Sequence, residues 1–162
     1  MIKINNNSSH EIERRWILTK IPKEISIKNK KFTKIKQCYL SLKPVIRLRS
    51  HDNSKFILCI KTQGLKKSLA RPEQEVELNH KEYKSLFAKS ITQDIIKKRF
   101  FIKYKNQILE LDIFDGVLKG LIILELEFKT EKEAINFIAP EWFGKEITGI
   151  KKYANSSLAK LL

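Results

Sequence analysis

The residues of this chain best suited to chemistry come in pairs two positions apart. Glu11 and Glu13 are followed by Arg15. Glu73, Glu75 and Glu77 repeat the spacing, as do Glu110 with Asp112 and Glu125 with Glu127. The cations do the same: Arg47 with Arg49, and Lys97 with Arg99. Apolar residues fill the intervening positions, among them Ile12, Leu48, Val76, Leu111 and Leu126. Side chains two apart on a strand point the same way, so each such segment has one ionic and one apolar face. Like charges side by side are unfavourable unless something compensates them. Acidic strands beside basic ones could compensate each other, and a divalent cation on the acids with an oligophosphate on the guanidinium groups would do so better. The plainer alternative is a half-exposed antiparallel sheet whose charged face meets water.

Other reactive residue types carry no pattern. His10, His51 and His80 are scattered and match no HExxH or zinc spacing. Ser8-Ser9-His10 is a tail segment, not a triad, and no GxxxxGK[ST] loop is present. Trp16 and Trp142 read as packing residues. Cys38 and Cys59 sit in apolar segments and read as reduced, structural thiols.

The elements that would position the charged pairs are short alternating strands. They fall near 10–18, 34–42, 44–50, 55–62, 72–78, 95–104, 107–114 and 119–129. Residues 1–9 read as a polar tail, and the basic run 28–36 as a loop leading into a strand. Helical spacing is confined to His80–Lys89, to Glu131–Phe137 with Thr130 as N-cap, and to a final helix over Asn155–Leu162. If the sheet curls so that its ionic face turns inward, it encloses a charged tunnel, and its apolar exterior needs cover from the helices.

A chain of 162 residues, 42% apolar and 31% charged, forms one domain with a core. No apolar run is long enough for a membrane helix. The start has no apolar signal core, which predicts a cytoplasmic protein. The net charge of +15 implies an anionic partner or substrate.

The motifs are collinear with those of a known family. Glu11-Ile12-Glu13-Arg14-Arg15 resembles the ExExK hallmark of the CYTH superfamily, the triphosphate tunnel metalloenzymes. Gln37-Cys38-Tyr39-Leu40 resembles QGYL, Ile46-Arg47-Leu48-Arg49 resembles VRxR, and Cys59-Ile60-Lys61 resembles TIK. Arg71-Pro72-Glu73-Gln74-Glu75 resembles RxExE, Lys97-Lys98-Arg99-Phe100 resembles KxRY, and Glu110 to Leu121 resembles ELDxFxGxLxGL. Glu125 to Phe128 resembles ExEF; Trp142 to Gly149 and Lys152 to Ser156 resemble WxGKEVTG and RYxNS.

The resemblance implies a mainly β, α+β fold over 1–162: an eight-stranded antiparallel closed β-barrel with a charged lumen and a few flanking helices. It implies a hydrolase of triphosphates, foremost inorganic tripolyphosphate, dependent on Mg²⁺ or Mn²⁺. The EIERRW start is similar to the short bacterial triphosphatase branch. It assigns metal binding to Glu11, Glu13, Glu75, Asp112, Glu125 and Glu127, with Glu73 and Glu77 as secondary candidates. It assigns the triphosphate to Arg47, Arg49, Lys61, Arg99 and Lys145, and catalytic positions to Arg15 and Tyr39. A monomer or homodimer without nucleic-acid or membrane partners is expected. A class IV-like adenylate cyclase, a thiamine triphosphatase and a non-catalytic polyanion-binding module are the alternatives. The acidic pairs argue against the last, because they repel phosphate unless a cation intervenes.

The chain departs from the family pattern in three places. Arg15 replaces the motif lysine; it keeps its charge and cannot act as an acid or base. Cys38 replaces the glycine of QGYL, and Ile150-Lys151 follow Gly149 where an aspartate is common.

Overall fold

The computed structural model describes residues 9–61 and 70–160. The reading of residues 1–8 as a tail and Leu161 and Leu162 of the final helix lie outside the described residues.

Eight strands alternate as the charge pattern requires: β1 (Ser9–Leu18), β2 (Thr33–Leu42), β3 (Val45–His51), β4 (Lys55–Lys61), β5 (Ala70–Leu78), β6 (Ile95–Tyr104), β7 (Gln107–Phe114) and β8 (Ile122–Glu127). A two-residue β9, Lys145–Glu146, adds to β1. All pairings are antiparallel, in the order β5-β4-β3-β2-β6-β7-β8-β1. The first part of β1 then pairs with β5, Ser9 opposite Glu73 and Ile12 opposite Ala70, which returns the sheet onto itself. The second part of β1 pairs with β8, Glu13 opposite Glu127 and Arg15 opposite Glu125. The registers therefore bring the acidic pairs and Arg15 into adjacent rows on one face.

The apolar face points outward and is covered, the inverse of a small barrel with a greasy interior. Ile12, Trp16, Phe100, Ile102, Leu109, Leu111, Leu124 and Leu126 pack with Phe143, Ala134 and the partly buried Phe137. These last come from α2 (Glu131–Asn136) and the 3₁₀ turn Glu141–Phe143. Thr130 caps α2 by accepting from the Glu133 amide, as its hydroxyl and position predict. A smaller cluster of Cys38, Leu48, Phe56 and Tyr83 lies under α1 (His80–Phe87), whose start carries a reciprocal capping box between Asn79 and Glu82. Both cysteines are buried and free.

Arg14 and Arg15 show how alternation sorts neighbouring cations. Arg14 faces outward, its guanidinium 5.3 Å from the Trp16 ring. It donates to both Glu146 carboxylate oxygens at 2.8 and 2.7 Å and to the carbonyls of Ala134 and Phe137. Arg15 faces inward. A third cluster, Tyr39, Ile95, Phe114, Ile123, Ile147, Leu158 and Ala159, seats α3 (Asn155–Leu158) against the inner wall.

Candidate active site

The inward face encloses a cavity of about 990 Å³. Its walls carry Glu11, Glu13 and Arg15 from β1, Arg47 and Arg49 from β3, and Lys61 from β4. Opposite stand Arg99 from β6, Glu110 from β7, and Glu125 and Glu127 from β8. Tyr39 lines it as well, and Lys151, Asn155 and Lys160 border it from the C-terminal segment. The i, i+2 charge pairs on separate strands thus converge on one space.

The cations are held by a graded set of partners. Arg99 is the most heavily engaged: it donates to Asp112 at 2.7 Å and also to Glu110 and Glu125. Arg15 donates to Glu125 at 2.8 Å and to the Tyr153 carbonyl at 3.2 Å. Its Nη2 is buried without a partner among the described residues, and so is Nε of Arg47. Unpaired donors of this kind are unfavourable and would be satisfied by an anion's oxygens. Arg47 reaches Glu73 at 3.2 Å, and Lys61 is paired with Glu11 and Glu73. Arg49 meets only a neutral acceptor, Gln37 Oε1, at 3.2 and 3.0 Å. Among the described residues no carboxylate lies within ion-pair distance of it, which leaves its charge available. Burial and the like charges of Arg47 and Arg99 press the Arg49 guanidinium down to about 10, still charged at neutral pH.

The acids divide in two. Burial alone would raise Glu125, but Arg99 and Arg15 outweigh it and hold that carboxyl well below the usual carboxylate range. Glu13 goes the other way: burial and the carboxylates of Glu125 and Glu11 push it up to about 7. Burial, Glu11 and Glu73 likewise raise Glu127. This side of the cavity is short of positive charge, and its donors are all hard oxygens, which suit Mg²⁺ or Mn²⁺. Among the described residues, the trio of ligand atoms that already converges to within 4.8 Å is instead Cys59 with Glu73 and Glu75. A thiol is a soft ligand, so this trio does not suit those ions.

Three of the expected site residues lie away from the cavity wall. Lys145 is exposed on β9, paired with Ile17 beyond the edge of β1. Asp112 is fully buried behind the wall, its carboxylate taken up by Lys97 and Arg99. Glu75 is exposed and reaches Arg47 only at 3.7 Å. Glu73, in contrast, is buried between Arg47 and Lys61 and accepts from the Cys59 thiol. The motifs contained three further participants without giving them a role. Glu110 lines the cavity, Gln37 joins Arg49 to the Tyr39 hydroxyl, and Lys97 is fully buried against Asp112. The signal for each was its place in the inward register of its strand. Tyr39 is buried, and its hydroxyl is pushed up to about 12, so it remains a proton donor at neutral pH.

A closed antiparallel sheet with opposed rows of carboxylates and guanidinium groups inside defines a tunnel-type β-barrel. The CYTH domain pattern matches residues 9–161, and the chain belongs to that family. It is 34% identical over 115 residues to an inorganic triphosphatase of Nitrosomonas europaea, covering 70% of this chain and 74% of that protein. It is 32% identical over 109 residues to an inorganic triphosphatase of Acetivibrio thermocellus, covering 67% of each. A crystal structure of an inorganic triphosphatase superposes with a TM-score of 0.65 at 29% identity, over 92% of this chain and 93% of the other.

Proposed function

We propose that this protein hydrolyses inorganic tripolyphosphate with a divalent cation, Mg²⁺ or Mn²⁺. The observation that carries the reading is the convergence of guanidinium and carboxylate rows on one cavity in a chain that resembles inorganic triphosphatases over two thirds of its length.

Arg15, Arg47, Arg49, Lys61 and Arg99 bind and orient the phosphate chain. The buried Nη2 of Arg15 and Nε of Arg47 offer donors that no group among the described residues uses. Among the described residues Arg49 has no carboxylate to surrender when phosphate arrives, whereas Arg99 is fixed by three acids and acts as a rigid wall. Glu11, Glu13, Glu125 and Glu127 would hold the cation, which when bound supplies charge neutralisation between carboxylates and phosphates and Lewis acidity at a phosphoryl oxygen. A cation held there would offset the carboxylate repulsion that raises Glu13 and favour its ionised form. Tyr39 stays protonated and can donate to a phosphate oxygen or to a leaving group. Arg15 holds charge and does not exchange a proton.

The test is phosphate release from tripolyphosphate, ATP, thiamine triphosphate and longer polyphosphate, each with Mg²⁺ and Mn²⁺, with cyclic AMP followed in parallel. Cation-dependent release fastest from tripolyphosphate is expected. Cyclic AMP formation, a preference for an organic triphosphate, or binding without turnover would each replace this reading with one of its alternatives.

A further inference from the structure

The tunnel does not account for the charge of this protein. The cavity lining holds five carboxylates against eight cations, a small part of the net +15, so most of the excess charge is carried elsewhere. On the outer wall, β2 and β6 pair so that Lys34 stands directly opposite Lys98. Both are exposed, and among the described residues neither ammonium has a carboxylate within ion-pair distance. The nearby Asp52 is committed to the backbone amide of Lys34 at 2.7 Å. Like charges directly opposite on a sheet are unfavourable without a compensating partner. Exposed Lys30 and Lys31 lead into the same strand.

An aromatic ring sits among these lysines. Phe32 is 45% exposed although it packs on buried Phe100, ring centroids 5.5 Å apart. The Lys98 ammonium lies 5.3 Å from the centre of its ring. The ring is thus held from below and from one side, with much of its surface open. A preset aromatic surface flanked by unpaired lysines fits a chain of phosphates with planar groups attached. Lipid insertion calls for a broad apolar patch, whereas Phe32 is flanked in the chain by exposed Lys30, Lys31 and Lys34 and approached by Lys98.

We propose that the outer face of β2 and β6 around Phe32 docks single-stranded nucleic acid, with a base stacked on Phe32 and phosphates on Lys34 and Lys98. The surface is separate from the tunnel and does not depend on what the tunnel hydrolyses.

The experiment is fluorescence anisotropy of a labelled oligoadenylate of about 12 nucleotides, over about 50 to 200 mM salt. The full chain should bind with strong salt dependence and should bind a duplex of the same length more weakly. Phe32→Ala and Phe32→Leu should each weaken binding about 5- to 150-fold, the loss of one stacked base. Lys34→Gln with Lys98→Gln should flatten the salt dependence by about 1.4 in log–log slope, two phosphate contacts on a single strand. Tunnel variants Arg47→Gln and Arg49→Gln should bind the strand as before. Phosphate release by the Phe32 and lysine variants should match the parent, which shows that they are folded. The proposal is overturned by lack of binding at the low-salt end or by full affinity in both Phe32 variants. It is equally overturned if binding disappears in the tunnel variants, or if anionic vesicles bind where the oligonucleotide does not.

Discussion

At the scale of single residues, Arg15 is the cavity cation whose proposed role in phosphate binding is most directly tested. It sits in the row with Glu11 and Glu13, engages Glu125, and keeps one buried nitrogen unpartnered. A charge-assisted contact to phosphate contributes about 1.5–3 kcal/mol, so Arg15→Ala should weaken tripolyphosphate binding about 10- to 150-fold in calorimetry. Arg15→Lys should retain binding and hold or raise the single-turnover rate, since the charge remains. Unchanged affinity in the alanine variant would place Arg15 outside the substrate site. Glu13 invites a second test without substrate. Its carboxyl holds a proton up to about 7 in the folded protein, against 4.5 for an ordinary glutamate. Between those values the folded state binds more protons than the unfolded chain, so this group removes stability as pH rises through the window. Glu125 behaves oppositely: its lowered pKa adds stability above the ordinary range, lost as pH falls. Glu13→Gln should therefore melt about 2–4 °C above the parent at pH 8 without metal, with the gap closing near pH 5. In the cation-dependent assay, both Glu13→Gln and Glu127→Gln should lose turnover by orders of magnitude while remaining folded.

At the scale of elements, the C-terminal segment is stitched to β1 by close backbone approach. Ile147 donates its amide to the Arg15 carbonyl at 2.8 Å, and the Arg15 amide donates to the Thr148 hydroxyl at 3.0 Å. The turn into this stretch passes Gly144, at φ +78°, where an added Cβ would stand 2.5 Å from the Ile17 carbonyl oxygen. Glycine is needed there for both conformation and space. Gly144→Ala should destabilise the protein by about 1–3 kcal/mol, read as a fall in melting temperature of about 3–10 °C. It should also weaken substrate binding, because Tyr153, which accepts from Arg15, lies further along the same segment. An alanine variant that melts with the parent would show that this turn relaxes freely. The elements themselves were largely legible in the sequence: alternation marked all eight strands and Thr130 marked the start of α2. β9 was not, since two residues have no periodicity and their pairing with β1 comes from the turn at Gly144.

At the scale of the whole molecule, folding stores mutual repulsion that ligands can relieve. The carboxylates around Glu13 repel one another, and the unpaired arginine nitrogens lack acceptors. Cation and anion each remove the other's unfavourable surroundings, so their effects on stability should exceed additivity. In calorimetry, Mn²⁺ with a slowly hydrolysed triphosphate analogue should raise the melting temperature by more than the sum of either alone. A single ligand at 100-fold its dissociation constant contributes about 2.7 kcal/mol, or about 5–10 °C here. Strict additivity would mean that the two occupy independent sites.

The sequence by itself determined which residues share a face, because a strand's period of two assigns every side chain to one side or the other. That was enough to group Glu11, Glu13, Arg47, Arg49, Glu125 and Glu127 as wall residues and to send Trp16 and Leu126 outward. The ordered motifs then identified the family. Only the tertiary structure decided how deep each charge sits and what it meets. Asp112 and Glu110 share a face of β7, yet one is sealed behind Arg99 and Lys97 while the other lines the cavity. Lys145 stands in a family motif, yet it leaves the wall because β9 adds beyond the edge of β1. The net charge of +15 suggested an anionic substrate, but the tunnel strands' cations, Arg49 apart, are paired with acids, and most of the excess lies outside the cavity. Alternation is a local property that a single strand expresses. Depth, partner choice and the placement of net charge depend on register between strands far apart in the chain, and no local pattern encodes them.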